Sequence, residues 1–588
     1  MRAPGNLALF STASLLFCRS VTQPTPAIVP QSAVRPLPRW ALWLLCIAYI
    51  IPGFIGRDPW RGADMTAFGY MLELAQGHTP WLAPLLGGMP PETDGLLPYW
   101  LGAWAMQMAP AIVSSELSVR LPFVLLMVLT LLVTWHGIYH LARSPGAQPV
   151  AFAFGGEAQP ADYARAMADG GLLALMACLG LAQPSHETTS YLTQLCCTAL
   201  VFYALAAMPN RSTLPVLALL AGLAGLVLSG APALAQLYGL GGAMMYLWCP
   251  VQTTESRQQA RTFAMVVALM TLASAALAWQ LDLWRWRLAW PQDNGKEWGS
   301  LARLLIWFTW PAWPLALWTL WRWRKQILTR HVHRHLMLPL WFVLVSVAAT
   351  LATLPSDRAL LLCLPALAAL AAFALPTLRR SMAALIDWFT LLFFSVSAIA
   401  IWVIWISTQT GFPAKPAANV AKLARGFTPE FSGLALSVAV LASTAWCGLV
   451  WWRAGRHRKA IWKSLVLPAS GATLSWLLLM TLWLPMLNYA RSDAPQVRAI
   501  VSAADAPTCM HMHGLSRGQV AAMQYHGALR LVPLSEPPLC TWLVMAPPNG
   551  SERNAAPSPD TASWSLHAVY GRPTEKDDTL ALYRRNAP

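Results

Sequence analysis

Long apolar runs separated by short polar segments dominate the chain up to residue 487. A helix that crosses a bilayer needs about 20 mostly apolar residues, and about thirteen runs approach that length. The runs cover residues 40–56, 119–141, 168–183, 189–207, 213–229, 231–248, 262–280, 301–321, 335–354, 358–376, 384–406, 433–452 and 464–486. The pattern therefore predicts an all-α, polytopic membrane protein with about thirteen transmembrane helices.

The pattern changes after residue 487, where apolar and polar residues alternate in short segments. Alternation with a period of two is typical of half-buried strands. The segments are 528–534, 541–546, 564–570 and 579–583. A helix is predicted before them at 494–504, and the Pro-, Ser- and Asn-rich stretch 547–563 predicts a loop. Residues 488–588 are thus expected to form a small soluble domain of α/β or α+β type.

Basic residues between the predicted spans indicate the orientation. They concentrate in alternate connecting segments, most densely at 322–334 and 453–463, and the short segments between hold fewer. Because cytoplasmic loops carry the excess of Lys and Arg, the N-terminus is predicted in the cytoplasm and the C-terminal domain in the periplasm of a bacterium. Residues 1–39 show no convincing signal-peptide cleavage site and predict a disordered cytoplasmic tail.

Composition agrees with a membrane protein. The chain is 56% hydrophobic and 11% charged, more apolar than one soluble core of this length needs. The net charge of +16 does not indicate nucleic acid, because the basic residues punctuate apolar runs instead of covering one face. Of the ten cysteines, Cys509 and Cys540 alone fall in the predicted periplasmic domain, where we expect a disulfide.

Acidic residues are scarce, and two groups of them share the predicted external loop 57–118. The groups are Asp58 and Asp64, beside Arg57 and Arg61, and Glu92 and Asp94, shortly before Tyr99. A carboxylate at the end of a span could deprotonate an incoming hydroxyl or amine, or bind a metal. Ordinary surface ion pairs with the two arginines explain the first group equally well. The same loop contains an apolar stretch, 96–111, which is predicted to lie in the membrane interface.

Other predicted external loops carry weaker candidates. His186 and Glu187 could face the same cavity as the acidic loop, although a lone histidine at a helix end is more often structural. Arg358 could hold a phosphate or pair with its neighbour Asp357. The tryptophans near 281–300 could stack on sugars, but an aromatic belt at the interface is the commoner use.

The order of several motifs resembles a known group of enzymes. The motifs are Tyr70-Met-Leu-Glu-Leu74, Trp81-Leu-Ala-Pro84, Leu97-Pro-Tyr-Trp-Leu101, Ser118-Val-Arg-Leu-Pro122, Gly222-Leu-Ala-Gly-Leu226, Ser229-Gly-Ala-Pro232, Phe308-Thr-Trp-Pro-Ala-Trp-Pro314, Ser356-Asp-Arg358 and Leu364-Pro365. Together with the acidic first loop, they resemble the aminoarabinose transferase and protein O-mannosyltransferase superfamily. These are GT-C membrane glycosyltransferases of the glycosyltransferase family 39 type.

The resemblance implies a helical GT-C core that takes a sugar from a polyprenyl-phosphate donor and passes it to a lipid A-like or other periplasmic acceptor. The resemblance implies that Asp58, as the leading Asp of the loop, is the best candidate for activating the acceptor, and Asp64 is a second catalytic candidate. The candidates for substrate binding are Arg57, Arg61, Glu92, Asp94, Tyr99, Arg120, His186, Glu187 and Arg358. No cofactor is certain, and a divalent cation is an open option. Nucleic acid is not an expected partner.

The chain departs from the pattern of these enzymes at two lysines. Asp94 stands where they often carry a Lys that could contact the donor phosphate, and Ser229 replaces another. Arginines would have to bind the phosphate instead. Two alternatives therefore stay open, a flippase or transporter for lipid-linked sugars and a membrane scaffold without catalysis. A transporter usually shows paired, interrupted helices in two halves, and the sequence has no such duplication.

Overall fold

The computed structural model describes residues 25–92, 95–211, 213–248, 254–284, 296–328, 332–353, 356–454, 460–535, 540–546, 563–572 and 574–586. Helices occupy most of this range up to residue 503, and a small five-stranded sheet follows. The predicted fold class, a helical membrane region with a small α/β domain at the C-terminal end, is confirmed.

The helices within the described residues are α1 (Arg39–Ile50), α2 (Ala63–Ala75), α3 (Leu97–Met108), α4 (Ser115–Ala142), α5 (Pro160–Ala177), α6 (Ser190–Ala207), α7 (Thr213–Leu228), α8 (Pro232–Leu247), α9 (Thr254–Gln280), α10 (Lys296–Phe308), α11 (Ala312–Arg322), α12 (Arg324–Ile327), α13 (Arg334–Ala352), α14 (Ser356–Leu361), α15 (Leu364–Ala374), α16 (Arg380–Thr410), α17 (Ala414–Leu423), α18 (Gly433–Ala454), α19 (Val466–Leu479), α20 (Leu484–Arg491), α21 (Ala494–Ala503) and α22 (Arg517–Gly527).

Each predicted apolar run coincides with at least one helix, but not every run forms one long span. Six described helices, α4, α6, α9, α13, α16 and α18, are long and apolar enough to cross a membrane. A seventh is added if Ile461–Leu479 and Leu484–Arg491, bent by 71°, count as one span. The run 301–321 is divided before Pro311, which has no N–H to donate to a continuing helix. The chain is a multi-pass membrane protein, and the number thirteen stays a prediction.

Residues 25–38 are ordered, so the prediction of a disordered tail is wrong for this part. Ala27 and Val29 are buried. Their carbonyl oxygens accept hydrogen bonds from the backbone N–H groups of Val150 and Ala158, both at 2.9 Å. Two buried apolar side chains and these backbone bonds fix the segment against the loop that precedes α5. Residues 1–24 lie outside the described range.

The C-terminal sheet consists of β1 (Cys509–His513), β2 (Arg530–Pro533), β3 (Trp542–Met545), β4 (Trp564–Arg572) and β5 (Glu575–Arg585), in the order β2-β1-β3-β5-β4. The first three strands pair in parallel, whereas β3, β5 and β4 pair antiparallel. The four strands expected from alternation and the helix α21 are present. Strand β1 and helix α22 were not predicted. A disulfide joins Cys509 and Cys540, as expected from the sequence.

Helix α22 connects this domain to the acidic loop 57–118. Ser516 and Gln519 form a capping box at its start, in which each side chain bonds the backbone N–H of the other residue. The helix packs directly on α2, because a Cβ atom at Gly69 would lie 2.5 Å from the Cβ of Ala521. A larger residue at Gly69 would force the two helices apart, so their close approach places α22 beside the acidic loop.

Candidate functional site

The Asp64 carboxylate lies in the first turn of α2 and is buried. Its Oδ2 accepts from Nη2 of Arg57 at 2.9 Å and from the backbone N–H of Trp60 at 3.2 Å. Its Oδ1 accepts from the N–H and the hydroxyl of Thr188, both at 2.8 Å. Four hydrogen bonds satisfy the carboxylate and connect the acidic loop 57–118 to the segment before α6. This geometry favours a structural role for Asp64, and the catalytic role that the sequence suggested stays a prediction.

Arg57, the first residue of the same loop, is fully buried. Besides Asp64, its Nη2 bonds the carbonyl oxygen of His186 at 2.6 Å, and its guanidinium lies 4.7 Å from the ring centre of Trp60. Its Nε and Nη1 have no hydrogen-bond partner within the described residues. Buried donors without a partner are rare in folded proteins. The N–H groups on Nε and Nη1 of Arg57 are therefore available to donate hydrogen bonds to an anion.

Asp58 differs from Asp64 although the two are only six positions apart. Its backbone N–H donates to Oδ1 of Asn488 at 3.2 Å, but in the described part of the chain no group donates to its carboxylate. The side chain is half-buried. A carboxylate held by its backbone and left open at its oxygens is suited to accept a proton.

Asn488 of α20 fixes the turn that carries Asp58. Its Oδ1 also accepts from the indole N–H of Trp60 at 3.0 Å, and its side-chain amide donates to the carbonyl oxygen of Gly56 at 3.0 Å. Sequence reasoning missed Asn488. It lies 430 positions after Asp58, and no local motif marks it.

Glu187, in the segment before α6, and Arg358 of α14 form an ion pair. The Gln183 amide also donates to Oε1 of Glu187, at 3.1 Å, and the Arg358 guanidinium lies 5.6 Å from the ring centre of Tyr191. The expected pairing of Arg358 with Asp357 is not described, since the Asp357 side chain lies outside the described atoms. The structure thus brings Glu187 and Arg358 together, as two residues that the sequence had placed on separate loops.

His186 is a buried structural residue in this arrangement. Its Nε2 lies 3.1 Å from the carbonyl oxygen of Tyr49, and its ring centre lies 4.8 Å from that of Trp476. Burial is the main cause that lowers the pKa of His186 to about 4. The imidazole is therefore neutral at physiological pH, and its contacts favour the structural interpretation over substrate binding.

Arg120 and Tyr99 are buried near this cluster. Nη1 of Arg120 donates to the carbonyl oxygen of Phe54 at 3.3 Å, and its charge interacts with those of Arg57 and Asp64. The Tyr99 ring packs 5.1 Å from that of Tyr70. Arg120 therefore stays a candidate for the site, whereas the contact of Tyr99 packs α3 against α2.

Arg61 and Glu92 point away from the cluster, toward the C-terminal domain. Arg61 pairs with Glu575 at 2.7 Å and also with Asp578, both on β5. Glu92 pairs with Arg517 of α22 at 3.0 Å. These two candidates therefore lie in the contact between the domains. Asp94, Trp286 and Trp290 lie outside the described residues.

Three residues that interact electrostatically with Asp58 were not among the sequence candidates. Glu116 stands in the first turn of α4, and Tyr525 and His526 stand in the last turn of α22. The charge of Asp58 acts on all three. The capping box at Ser516 could have revealed α22 from the sequence, but nothing local indicates that its end lies beside Asp58.

Metal binding receives no geometric support from the described atoms. Among the described residues, no group of three or more His, Cys, Asp or Glu side chains is arranged to hold a metal ion. A cavity of about 600 Å³ between α1, α18 and α19 contains Trp40, Trp446 and Trp462 in its wall. It begins at the start of α1, whereas Asp58 follows the end of α1. The cavity is thus separate from the acidic loop.

Comparison with known proteins identifies the fold. No protein-family model and no curated protein sequence matches the chain. Among solved structures, ArnT from Cupriavidus metallidurans bound to undecaprenyl phosphate matches with a TM-score of 0.57 and 15% identity. The match covers 93% of this chain and 98% of that chain. The same protein in the apo state matches with a TM-score of 0.56, at the same identity and coverage.

The likeness therefore extends over nearly the full length of both chains. It confirms, at the level of fold, the resemblance seen in the order of the motifs. This protein has the GT-C fold of the aminoarabinose transferase ArnT.

Proposed function

We propose that this protein is a membrane glycosyltransferase that moves a sugar from a polyprenyl-phosphate donor to a lipid A-like or other periplasmic acceptor. The main support is the likeness, over both whole chains, to an ArnT structure with undecaprenyl phosphate bound. Asp58 supplies a half-buried carboxylate with open oxygens, which supports its assignment as the base. The proposal places the protein in a bacterial inner membrane, with the disulfide-bonded domain in the oxidising periplasm.

Asp58 activates the acceptor in this proposal. The acceptor O–H gives its proton to the Asp58 carboxylate while the oxygen attacks the anomeric carbon of the sugar. The bond from that carbon to the phosphate oxygen breaks, and its electron pair leaves with the polyprenyl phosphate. Positioned proton transfer of this kind contributes typically about 10²–10⁴-fold to a rate.

Arginines hold the donor phosphate in place of the missing lysines. Arg57 offers the two buried N–H directions that no described residue uses, and Arg120 adds a second positive charge. Bidentate contacts between guanidinium and phosphate are short and strong. Arg57 is enclosed beneath the loop, so phosphate binding there requires the loop to open. Arg358 is already paired with Glu187 and serves less well.

Transfer from defined donors is the direct test. The purified protein in nanodiscs would be given a panel of polyprenyl-phosphate sugars and lipid acceptors, and the glycosylated product would be measured. We expect wild-type transfer and a loss of about a hundredfold or more in Asp58→Asn, as befits a lost general base. Asp505→Asn is the matched control, because Asp505 is an exposed carboxylate of the C-terminal domain. It should retain wild-type activity.

The outcomes separate the alternatives. A wild-type protein that transfers from no donor would contradict the proposal and favour the scaffold. Movement of the lipid-linked sugar across a vesicle membrane without product would favour the transporter. Full activity in Asp58→Asn would leave the enzyme class standing and remove Asp58 as its base.

A further inference from the structure

The cavity between α1, α18 and α19 is open toward the bilayer. Its volume is about 600 Å³, and its wall is largely apolar, with Trp40 and Leu44 of α1, Leu449 of α18 and Leu477 of α19 among its residues. Trp40 and Leu44 are 69% and 57% exposed, so the protein leaves this side uncovered. Helix α18 is long and apolar enough to cross the membrane. The opening therefore faces hydrocarbon, and an apolar chain is the occupant that such a wall favours.

Three cations lie at the end of the cavity where α1 begins. Nζ of Lys463 is 4.9 Å from the ring centre of Trp452, which belongs to the cavity wall. Arg453 directly follows Trp452, and Arg35 stands two positions before Leu37, another residue of the wall. The charges of Arg453 and Arg35 both act on Lys463. Lys463, Arg453 and Arg35 thus form a basic cluster at one end of an apolar cavity.

The backbone that carries Arg35 is fixed in place. The indole N–H of Trp462, a residue of the cavity wall, donates to the carbonyl oxygen of Arg35 at 2.7 Å. The backbone N–H of Leu37 bonds the carboxylate of Asp169, whose charge also interacts with that of Arg39. Arg39 is therefore not counted in the basic cluster, because a buried carboxylate offsets it.

Arg453 has a hydrogen-bond donor that no described residue uses. Its side chain is 8% exposed, and its Nη2 donates to Oδ2 of Asp387 at 2.6 Å. Its Nε is buried without a hydrogen-bond partner among the described residues. Buried donors of this kind are rare, and an anion beside them would supply the acceptor. Asp387 offsets one of the three positive charges, so the basic cluster favours an anionic partner.

We propose that this cavity binds an anionic phospholipid of the bilayer, with one acyl chain inside the cavity and the phosphate against the basic cluster. Apolar wall and cations together match the two parts of such a lipid, and basic pockets between transmembrane helices are known to bind anionic head groups. Guanidinium and phosphate form short, strong hydrogen bonds. The inference goes beyond the proposed function and does not depend on it.

The position of the basic cluster argues for a phospholipid instead of the polyprenyl-phosphate donor. The cluster lies where α1 begins, whereas Asp58 follows the end of α1. A donor with its phosphate at the cluster would hold its sugar at the opposite end of α1 from the candidate base. A phospholipid here instead joins α1 to α18 and α19 and has no part in the chemistry at Asp58.

Lipid binding by the purified, delipidated protein tests the charge requirement. The protein in detergent would be titrated with phosphatidylglycerol, or with phosphatidylcholine that has the same acyl chains, and bound lipid would be measured by native mass spectrometry. We expect tighter binding of phosphatidylglycerol. Lys463→Gln should weaken it about fivefold, the effect of one cation near a membrane surface. The matched control is Lys415→Gln, which removes an exposed lysine of α17 and should bind like the wild type.

A second pair of variants tests the cavity itself. Ala445 of α18 belongs to the wall, so the ring in Ala445→Phe would occupy space that the acyl chain needs. This variant should weaken the binding of both lipids. Ala400→Phe adds the same ring at an exposed position of α16 that is not part of the wall, and it should bind like the wild type. Charge attraction at the surface alone would leave Ala445→Phe unaffected.

Four results would overturn the inference. They are equal binding of the two phospholipids, wild-type binding in both Lys463→Gln and Ala445→Phe, displacement of phosphatidylglycerol by equimolar undecaprenyl phosphate, and a dimer of the delipidated protein that added lipid does not dissociate. The third would assign the cavity to the carrier lipid, and the fourth to a second copy of the chain. None of these measurements uses sugar transfer, so the proposed function can fail while the lipid site stands.

Discussion

The acidic loop 57–118 forms a pair of arginine and carboxylate on each of its two sides, and the surroundings of the two pairs differ. On the side of the membrane helices, Arg57 and Asp64 are 0% and 2% exposed. On the side of the C-terminal domain, Arg61 and Glu575 are 33% and 55% exposed. The first pair is enclosed by Trp60 and Thr188, whereas water reaches the second. Burial, and not residue type, therefore distinguishes the pair inside the membrane region, Arg57 and Asp64, from the pair at the contact between the domains, Arg61 and Glu575.

The difference has a physical basis. In a region from which water is excluded, two charges attract each other strongly, but both have lost their hydration. Removing one partner leaves the other as an uncompensated buried charge, which lowers the free energy of unfolding by several kcal/mol. In a wet contact, the attraction is weak and is screened by salt.

Asp64→Ala should produce the largest loss of stability. It would leave the Arg57 guanidinium buried without its charge partner and remove the acceptor of both Thr188 hydrogen bonds. Breaking one side of a buried pair costs about 3–5 kcal/mol. The measurement is the free energy of unfolding in detergent micelles by chemical denaturation.

Glu575→Gln is the matched control for that prediction, since it removes the exposed partner of Arg61. Exposed ion pairs contribute about 0.2–1 kcal/mol, so the control should lose at most about a third of what Asp64→Ala loses. Equal losses in the two variants would contradict the contrast between the two sides of the loop.

Asp493 is a buried carboxylate on the side of the C-terminal domain, and the pH dependence of stability tests the effect of its burial. Burial is the main cause that raises its pKa from 3.8 to about 6, although Arg572 and Arg61 oppose the shift. Its Oδ1 lies 3.8 Å from Nε of Arg572, and neither oxygen has a hydrogen bond within the described atoms. The native state therefore binds this proton more tightly than the unfolded state does.

The sign follows from that difference. The contribution of Asp493 to stability is full below pH 3.8 and is lost as the pH rises through about 6. Relative to Asp493→Asn, the wild type should lose at most about 3 kcal/mol between pH 4 and 8, at 1.36 kcal/mol per pKa unit. Unfolding measured across this range checks it. Parallel curves for the two proteins would refute the prediction, and Asp505→Asn should parallel the wild type.

The sequence was sufficient for the coarse fold but not for the role of each acidic residue. Apolar runs predicted the helices because helix burial in a membrane requires apolar composition along the whole segment. Asp58 and Asp64 look alike in the sequence. They differ because Thr188, 124 positions after Asp64, supplies two hydrogen bonds that only the folded chain brings near. Sequence reasoning missed Tyr525 and His526 for the same reason. Their helix, α22, contacts α2 through packing at Gly69, which only the folded chain shows.

Glu92→Gln should give the smallest effect. The pair of Glu92 and Arg517 spans 3.0 Å, with side chains 70% and 28% exposed. Arg517 also donates to the carbonyl oxygen of Pro90 at 2.8 Å, a bond that the variant keeps. We expect a loss below about 1 kcal/mol at low salt. The loss should disappear near 1 M salt, where charges are screened beyond about 3 Å.

Unfolding of both proteins at low and high salt measures the difference. A loss for Glu92→Gln that persists at high salt would mean that Glu92 acts through more than this exposed pair. The candidate role of Glu92 in substrate binding would then regain weight, because a carboxylate whose contribution survives screening must be shielded from water in some state of the protein. A loss that vanishes with salt leaves Glu92 as a weak tether of α22, which is the role its exposure indicates.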